Sequence, residues 1–288
     1  MAQISKIFNQ QKLRLSFLDG MRGLAALYVV FCHISLQHLE NLPQWINFPT
    51  KLVRYGSFSV AIFIVLSGYC LMLPVVRSPT DSIPGSLFDY FIRRARRIIP
   101  PYYVVIFLCC LLALVILGLE RFTTFSWRDL SYDWFSPEFS FKDVILHLFL
   151  VHNLTPGTQV YIINLPLWSV ALEWQIYFLF PLLFLPLRRR WGWFSVISTA
   201  FLIGLTPHYL FNGYMDVSRP WFIGSFTIGM AAADIVFSQR PHLIKLRKSL
   251  SWGRLTAIFT GIAIFTEWGK LGVEPWVLKL LQVSLLLA

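Results

Sequence analysis

The chain repeats one pattern, an apolar run of roughly membrane-spanning length, with every second connection between runs rich in Lys and Arg. Seven such runs fall at 17–37, 55–76, 98–119, 165–187, 191–210, 219–237 and 252–268, and a shorter one starts at Trp276. An α-helix needs ~20 mainly apolar residues to cross the ~30 Å hydrocarbon core, and within lipid it must satisfy every backbone N–H and C=O internally. The pattern predicts an all-α fold, a polytopic transmembrane helix bundle with about eight spans. A chain that is 56% hydrophobic and only 14% charged is excluded from the ordinary soluble domains. Its net charge of +11 does not point to nucleic acid, because the basic residues sit between apolar runs, where they anchor topology. With the N-terminus in the cytoplasm, 16 Lys and Arg fall in inner segments and 7 in outer ones, so the positive-inside bias selects that orientation. Cys32, Cys70, Cys109 and Cys110 lie in apolar runs without ligand spacing, which predicts neither disulfides nor a metal site. The first run lacks a small-residue cleavage site and reads as a retained helix, not a signal peptide. The run from Trp276 stops at Ala288, short for a span and without a flanking charge, so the chain reads as cut at its C-terminus.

Inside the first run stand two ionisable residues, Arg22 and His33. Eleven residues at ~100° each return to within ~20° of the starting direction, so the two share a helix face and lie ~16 Å apart along the axis. Two readings fit each residue. Arg22 snorkels as an anchor or binds an anion, and His33 is a packing donor or a proton-transfer group. Asp19 precedes Arg22 at the i, i+3 spacing and suits the positive end of the helix.

Three further places draw attention. Ser67 before Gly68 in the second run belongs either to helix packing or to a cavity lining. The segment FIRRARRIIPPYY, read as the end of a loop spanning 77–97 with Pro100 and Pro101 in the first helical turn, carries Arg93, Arg94, Arg96 and Arg97. These four hold the topology against anionic lipid, or Arg94 and Arg97 grip a polyphosphate. In LPLWSVALEWQIYF, Trp168 enters from outside, Glu173 follows ~8 Å deeper at nearly the level of His33, and Tyr177 comes one turn later. A buried carboxylate needs a partner: His33, or a neighbouring Trp, Tyr or water. The polar stretch 120–165 reads as outer, with an apolar piece at 144–151 too short to span and with His147 and His152 as loop or interfacial residues.

Asp19-Gly20-Met21-Arg22-Gly23 with His33, Ser67-Gly68-Tyr69, RRARRIIPPYY and Trp168-Ser169-Val170-Ala171-Leu172-Glu173 together resemble acyltransferase family 3, integral-membrane enzymes that include O-acetyltransferases of surface glycans. The likeness runs from Phe17 to about Pro186 in order and spacing. It implies a single membrane acyltransferase domain over 1–288, short of the family's usual ten or so spans. Such an enzyme sits in the plasma membrane, the inner membrane of a bacterium, with a cytoplasmic N-terminus. The resemblance makes His33 and Glu173 the catalytic pair and Arg22, Arg94 and Arg97 the donor-binding residues, with Asp19, Ser67, Trp168 and Tyr177 as cavity-lining candidates. It implies acyl-CoA as co-substrate, a carbohydrate or lipid-linked glycan as acceptor, and no resident cofactor.

Acyl transfer to a hydroxyl needs a base, donors for the oxyanion and positioning of both substrates. An imidazole at His33 titrates near neutrality, and a carboxylate beside it would orient its tautomer. Direct deprotonation of the acceptor and prior acylation of His33 fit equally. A different function uses the same residues: Arg22, His33 and Glu173 as the proton relay of a secondary transporter. No inverted repeat or pair of Gly/Pro-broken helices supports that alternative in the sequence.

Overall fold

The computed structural model describes residues 16–38, 56–130, 135–155, 163–268 and 277. They form nine α-helices: α1 (Ser16–His38), α2 (Gly56–Val76), α3 (Leu87–Phe122), α4 (Phe141–Leu148), α5 (Leu167–Leu179), α6 (Leu185–Leu210), α7 (Phe222–Phe237), α8 (Pro241–Ser249) and α9 (Trp252–Trp268). No strand occurs among the described residues. Five helical stretches are long and apolar enough to cross a membrane, which makes the chain a multi-pass membrane protein. One of them, Leu167–Leu210, is 44 residues long, or ~66 Å, twice the hydrocarbon thickness. It is interrupted by a π-helical turn at Phe180–Phe184, where Pro181 removes a backbone donor, and by Gly192, whose φ of 77° and ψ of −171° break the helix. That break falls at the start of the fifth run of the sequence. The seventh run forms α9, with 17 residues. The eighth run, Val277 aside, and the basic lead at 1–14 lie outside the described residues.

Two boundaries differ from the sequence reading, and a cap explains both. The third helix starts not at Ile98 but at Leu87, so all four arginines are helical and Pro100 and Pro101 lie inside the helix, not in its first turn. Ser86 caps it, accepting from Asp89 N at 3.0 Å while its hydroxyl donates to Asp89 Oδ2 at 2.7 Å. Likewise Ser140 and Asp143 form a capping box that starts α4 at Phe141, ahead of the apolar piece at 144–151. The Ser-x-x-Asp signal stands in the sequence at both places.

Lipid is as apolar as leucine, so helices here are held by close packing more than by water exclusion. The tightest approach is between α2 and α7. A Cβ added at Gly68 would lie 2.1 Å from the Phe226 carbonyl oxygen, and one at Gly229 would lie 2.1 Å from that of Val65. Each helix thus sets a backbone directly on a glycine of the other, as expected for small residues at such crossings. Phe180, Phe184, Phe222, Phe226, Met72 and Met230 fill the space behind this seam. On α1, Leu18, Ala25 and Cys32 are buried and Arg22, Val29 and His33 are half-buried, while Leu24, Leu27, Phe31 and Ile34 face outward. The 3.6-residue period therefore turns Arg22 and His33 to the same inward side.

Candidate active site

α1 and α2 run antiparallel, with Cys32 against Gly56 at one end and Arg22 near Cys70 at the other. Between the first pair opens a cavity of about 480 Å³, into which His33, Ser57, Trp168, Ser169, Asp216 and Arg219 project. The guanidinium of Arg219 lies 5.8 Å from the Trp168 ring centre. Phe222 stacks on the same indole, with 6.2 Å between ring centres. Trp168, 9% exposed, is thus a fixed wall of the cavity.

A second polar group lies further along α2. The Ser67 hydroxyl donates to Glu173 Oε1 at 3.1 Å, and the Tyr177 hydroxyl donates to the same oxygen at 2.5 Å. Of the partners the sequence left open for this carboxylate, a tyrosine one turn away is one, because positions i and i+4 of α5 share a face. Ser67 lies seven residues, or ~10 Å, along α2 from Val60 at the cavity wall, so these bonds lie inward of the cavity. Ser67 and Tyr177 are 3% and 1% exposed, which puts a charged group among apolar helices with two donors on one oxygen.

The arginines join this group from the other side. The Arg94 guanidinium sits 5.6 Å from the Tyr177 ring centre and 5.7 Å from that of Tyr90. Tyr177 accordingly meets a cation on its face and a carboxylate at its hydroxyl. Arg94 Nε is buried without a hydrogen-bond partner among the described residues. The charges of Arg22, Arg97, Asp19 and Arg94 all act on Cys70, and those of Arg97 and Arg94 act on Tyr177. Arg94 is half-buried, whereas Arg93, Arg96 and Arg97 are exposed, in keeping with neighbouring positions on one helix. Ser67, Glu173, Tyr177 and Arg94 thus form one contiguous group, and His33 and Trp168 line the cavity.

Three ionisable clusters were not singled out from the sequence. Arg188, 3% exposed, pairs with Asp234 at 3.0 Å and with Asp81 at 2.5 Å. Arg240 reaches Asp81 at 2.6 Å, and Trp193 Nε1 donates to Asp234 at 2.7 Å. Arg188 is therefore more than a topology anchor. Asp234 in GMAAADIVF is a lone acid in an apolar run, and the criterion applied to Arg22 would have found it.

His147 and His152 are not loop or interfacial residues. They are 0% and 1% exposed, with rings stacked 3.9 Å apart and 8° from parallel. His147 Nδ1 donates to the Asp143 carbonyl at 2.8 Å, and the Tyr102 hydroxyl donates to the His147 carbonyl at 3.0 Å. Burial, with His147 alongside, pushes the His152 imidazole down to about 3. Burial also lowers His147, although its bond to the Asp143 backbone and the Asp143 charge act the other way. The third cluster is Asp216 with His208, 2.7 Å from Oδ2 to Nδ1. Asp216 stands outside the apolar runs and His208 near the end of the fifth, so nothing local brings the two together.

Among the described residues no cluster of His, Cys, Asp and Glu could hold a metal ion. The family model described as an acyltransferase domain, that of acyltransferase family 3, matches residues 15–288. The O-acetyltransferase OatA of Staphylococcus aureus is 28% identical over 199 residues, covering 65% of this chain and 28% of that protein. The acyltransferase MdmB of Streptomyces mycarofaciens is 29% identical over 195 residues, covering 65% of this chain and 45% of that protein. The chain thus spans less than half the length of these relatives. No solved structure matches it.

Proposed function

This chain belongs to acyltransferase family 3, and on that footing we propose that it moves an acyl group, acetyl in the simplest case, from cytoplasmic acyl-CoA to a hydroxyl of an extracytoplasmic carbohydrate or glycolipid. The observation that carries the reading is the file of polar groups across an apolar bundle. It runs from the arginines through Tyr177, Glu173 and Ser67 toward the cavity with His33. Arg94 and Arg97, with Arg22 behind them, offer guanidinium forks to the donor phosphates. An extended pantetheine arm then lies along α2 and brings the thioester toward the cavity.

In the cavity His33 takes the acceptor hydroxyl proton as the oxygen attacks the thioester carbonyl. The C–O bond forms and the C–S bond breaks. The CoA thiolate leaves and takes the proton from the imidazolium, so charge and atoms balance. Glu173, held by Ser67 and Tyr177, supplies a fixed negative charge that favours the imidazolium.

The test uses protein reconstituted in vesicles with labelled acetyl-CoA supplied at the arginine-bearing face. Acyl transfer should be abolished by His33→Ala while CoA binding persists. Replacing Arg94 and Arg97 by Gln should weaken CoA binding and leave the protein inserted. Normal transfer by His33→Ala, or labelled acetate taken up without any thioester cleavage, as a transporter would do, would overturn the reading.

A further inference from the structure

The cavity with His33 is closed on one flank by the 3₁₀ segment Asp216–Ser218 and the residue after it, Arg219. Arg219 breaks two local rules at once. Its backbone is left-handed, with φ of 48° and ψ of 56°, a region that favours glycine or asparagine, and it precedes Pro220, which pushes the residue before it toward extended backbone. The surroundings hold it there. Ser218, 2% exposed, donates through its hydroxyl to the Asn153 carbonyl at 2.7 Å, and the Arg219 N–H donates to the Asp216 carbonyl at 3.0 Å. Behind the turn α6 presses on Pro220, where a Cβ added at Gly204 would lie 2.6 Å from the Pro220 carbonyl oxygen. His208, near the end of α6, bonds Asp216 Oδ2 at 2.7 Å. A backbone kept in a sparse region by its neighbours is a pointer to function. The turn itself gives no reason for an arginine, so the reason lies at the far end of the side chain.

That end is in the cavity. Arg219 is half-buried, and its guanidinium lies 5.8 Å from the Trp168 ring centre, within cation–π reach. A guanidinium over a ring still offers N–H donors at its edge. Among the described side chains that line the cavity, Arg219 carries the fixed positive charge. The Ser169 hydroxyl is taken by the Pro166 carbonyl at 3.1 Å, and the Asp216 carboxylate would repel an anion. The volume of about 480 Å³ lies in the lower part of the ~300–1,000 Å³ of small-molecule sites, so groups on its walls can meet around one acyl carbonyl.

We infer that Arg219 is the oxyanion-binding residue of the transfer: its guanidinium donates to the acyl carbonyl oxygen as that oxygen takes up negative charge. The inference rests on the acyl-transfer reading, which supplies a base in His33 and leaves the carbonyl without a donor. As the acceptor oxygen attacks and His33 takes its proton, the new C–O bond forms and the carbonyl π pair moves onto oxygen beside Arg219. Collapse restores the C=O bond and breaks the C–S bond, and the thiolate leaves with the proton from the imidazolium. Such a donor acts strongly here, because Trp168, Val60 and Leu165 wall the cavity with apolar surface.

The experiment uses the full chain in nanodiscs with acetyl-CoA and methyl glucoside, a neutral acceptor, and reads free CoA, which counts transfer to sugar and to water alike. Arg219→Gly removes the guanidinium and suits the left-handed backbone, so kcat should fall ~100-fold while CoA affinity and acceptor KM hold and the melting temperature does not drop. Arg219→Lys, which keeps a charge without the fork, should lose less. Millimolar guanidinium chloride should restore part of the rate to Arg219→Gly and none to His33→Ala. Wild-type kcat in Arg219→Gly, a loss that guanidinium leaves unchanged, or a loss confined to acceptor KM would overturn the inference. No release of CoA by the wild-type protein would overturn the acyl-transfer reading beneath it.

Discussion

Acidification should loosen the segment around α4 before it affects the rest of the bundle. Two stacked imidazoles, 0% and 1% exposed, pack well only while neutral, because protonating either buries a charge against its neighbour. His152 is pushed from 6.5 to about 3, so between those values the opened segment binds a proton that the closed one refuses. Stability from this group is complete above 6.5, falls as pH drops below it and levels off near 3. At pH 5 the loss is ~2 kcal/mol from His152, or about 30-fold in the opening equilibrium, with His147 adding in the same direction. Hydrogen exchange of the protein in nanodiscs, corrected for intrinsic rates, should show this drop in protection for Phe141–Thr155 between pH 7 and pH 5. His152→Phe keeps a flat apolar ring in the stack and leaves the Tyr102 bond to the His147 carbonyl in place, so its pH dependence should shrink. Protection that is the same at both values, or that falls as steeply in His152→Phe as in wild type, would refute the reasoning.

Gly68→Ala should force α2 and α7 apart, since its Cβ meets backbone, not a mobile side chain. A loss of ~3 kcal/mol or more is expected, read as a lower melting temperature in detergent. Arg188→Met leaves Asp234 buried and short of its cation, so a loss of ~3–5 kcal/mol should appear in the same assay. The double variant Arg188→Met, Asp234→Leu should recover part of it. Tyr177→Phe keeps the ring under Arg94 but removes the 2.5 Å bond to Glu173. It should lower kcat by ~10-fold while CoA affinity stays within error, and a weakened CoA affinity would assign Tyr177 to the donor site instead.

The helices and the shared face of Arg22 and His33 were legible in the sequence, because span length and the 3.6-residue period are local properties of the chain. The Ser86 and Ser140 caps were legible too, and overlooked; apolar runs mark where a helix is embedded, not where it begins. Asp234 could have been found as an acid in an apolar run, but not its pairing with Arg188 and, through Arg188, with Asp81. Helix rise gave the depth of Glu173 but not the Ser67 hydroxyl that reaches it from α2. The stacking of His147 on His152 and the placing of Asp216 beside the His33 cavity left no periodic trace. Periodicity specifies which side of a helix turns inward. What waits on that side depends on which helices meet and how closely, and here that depended on contacts between residues more than a hundred positions apart, such as Gly68 with Phe226 and Ser67 with Glu173.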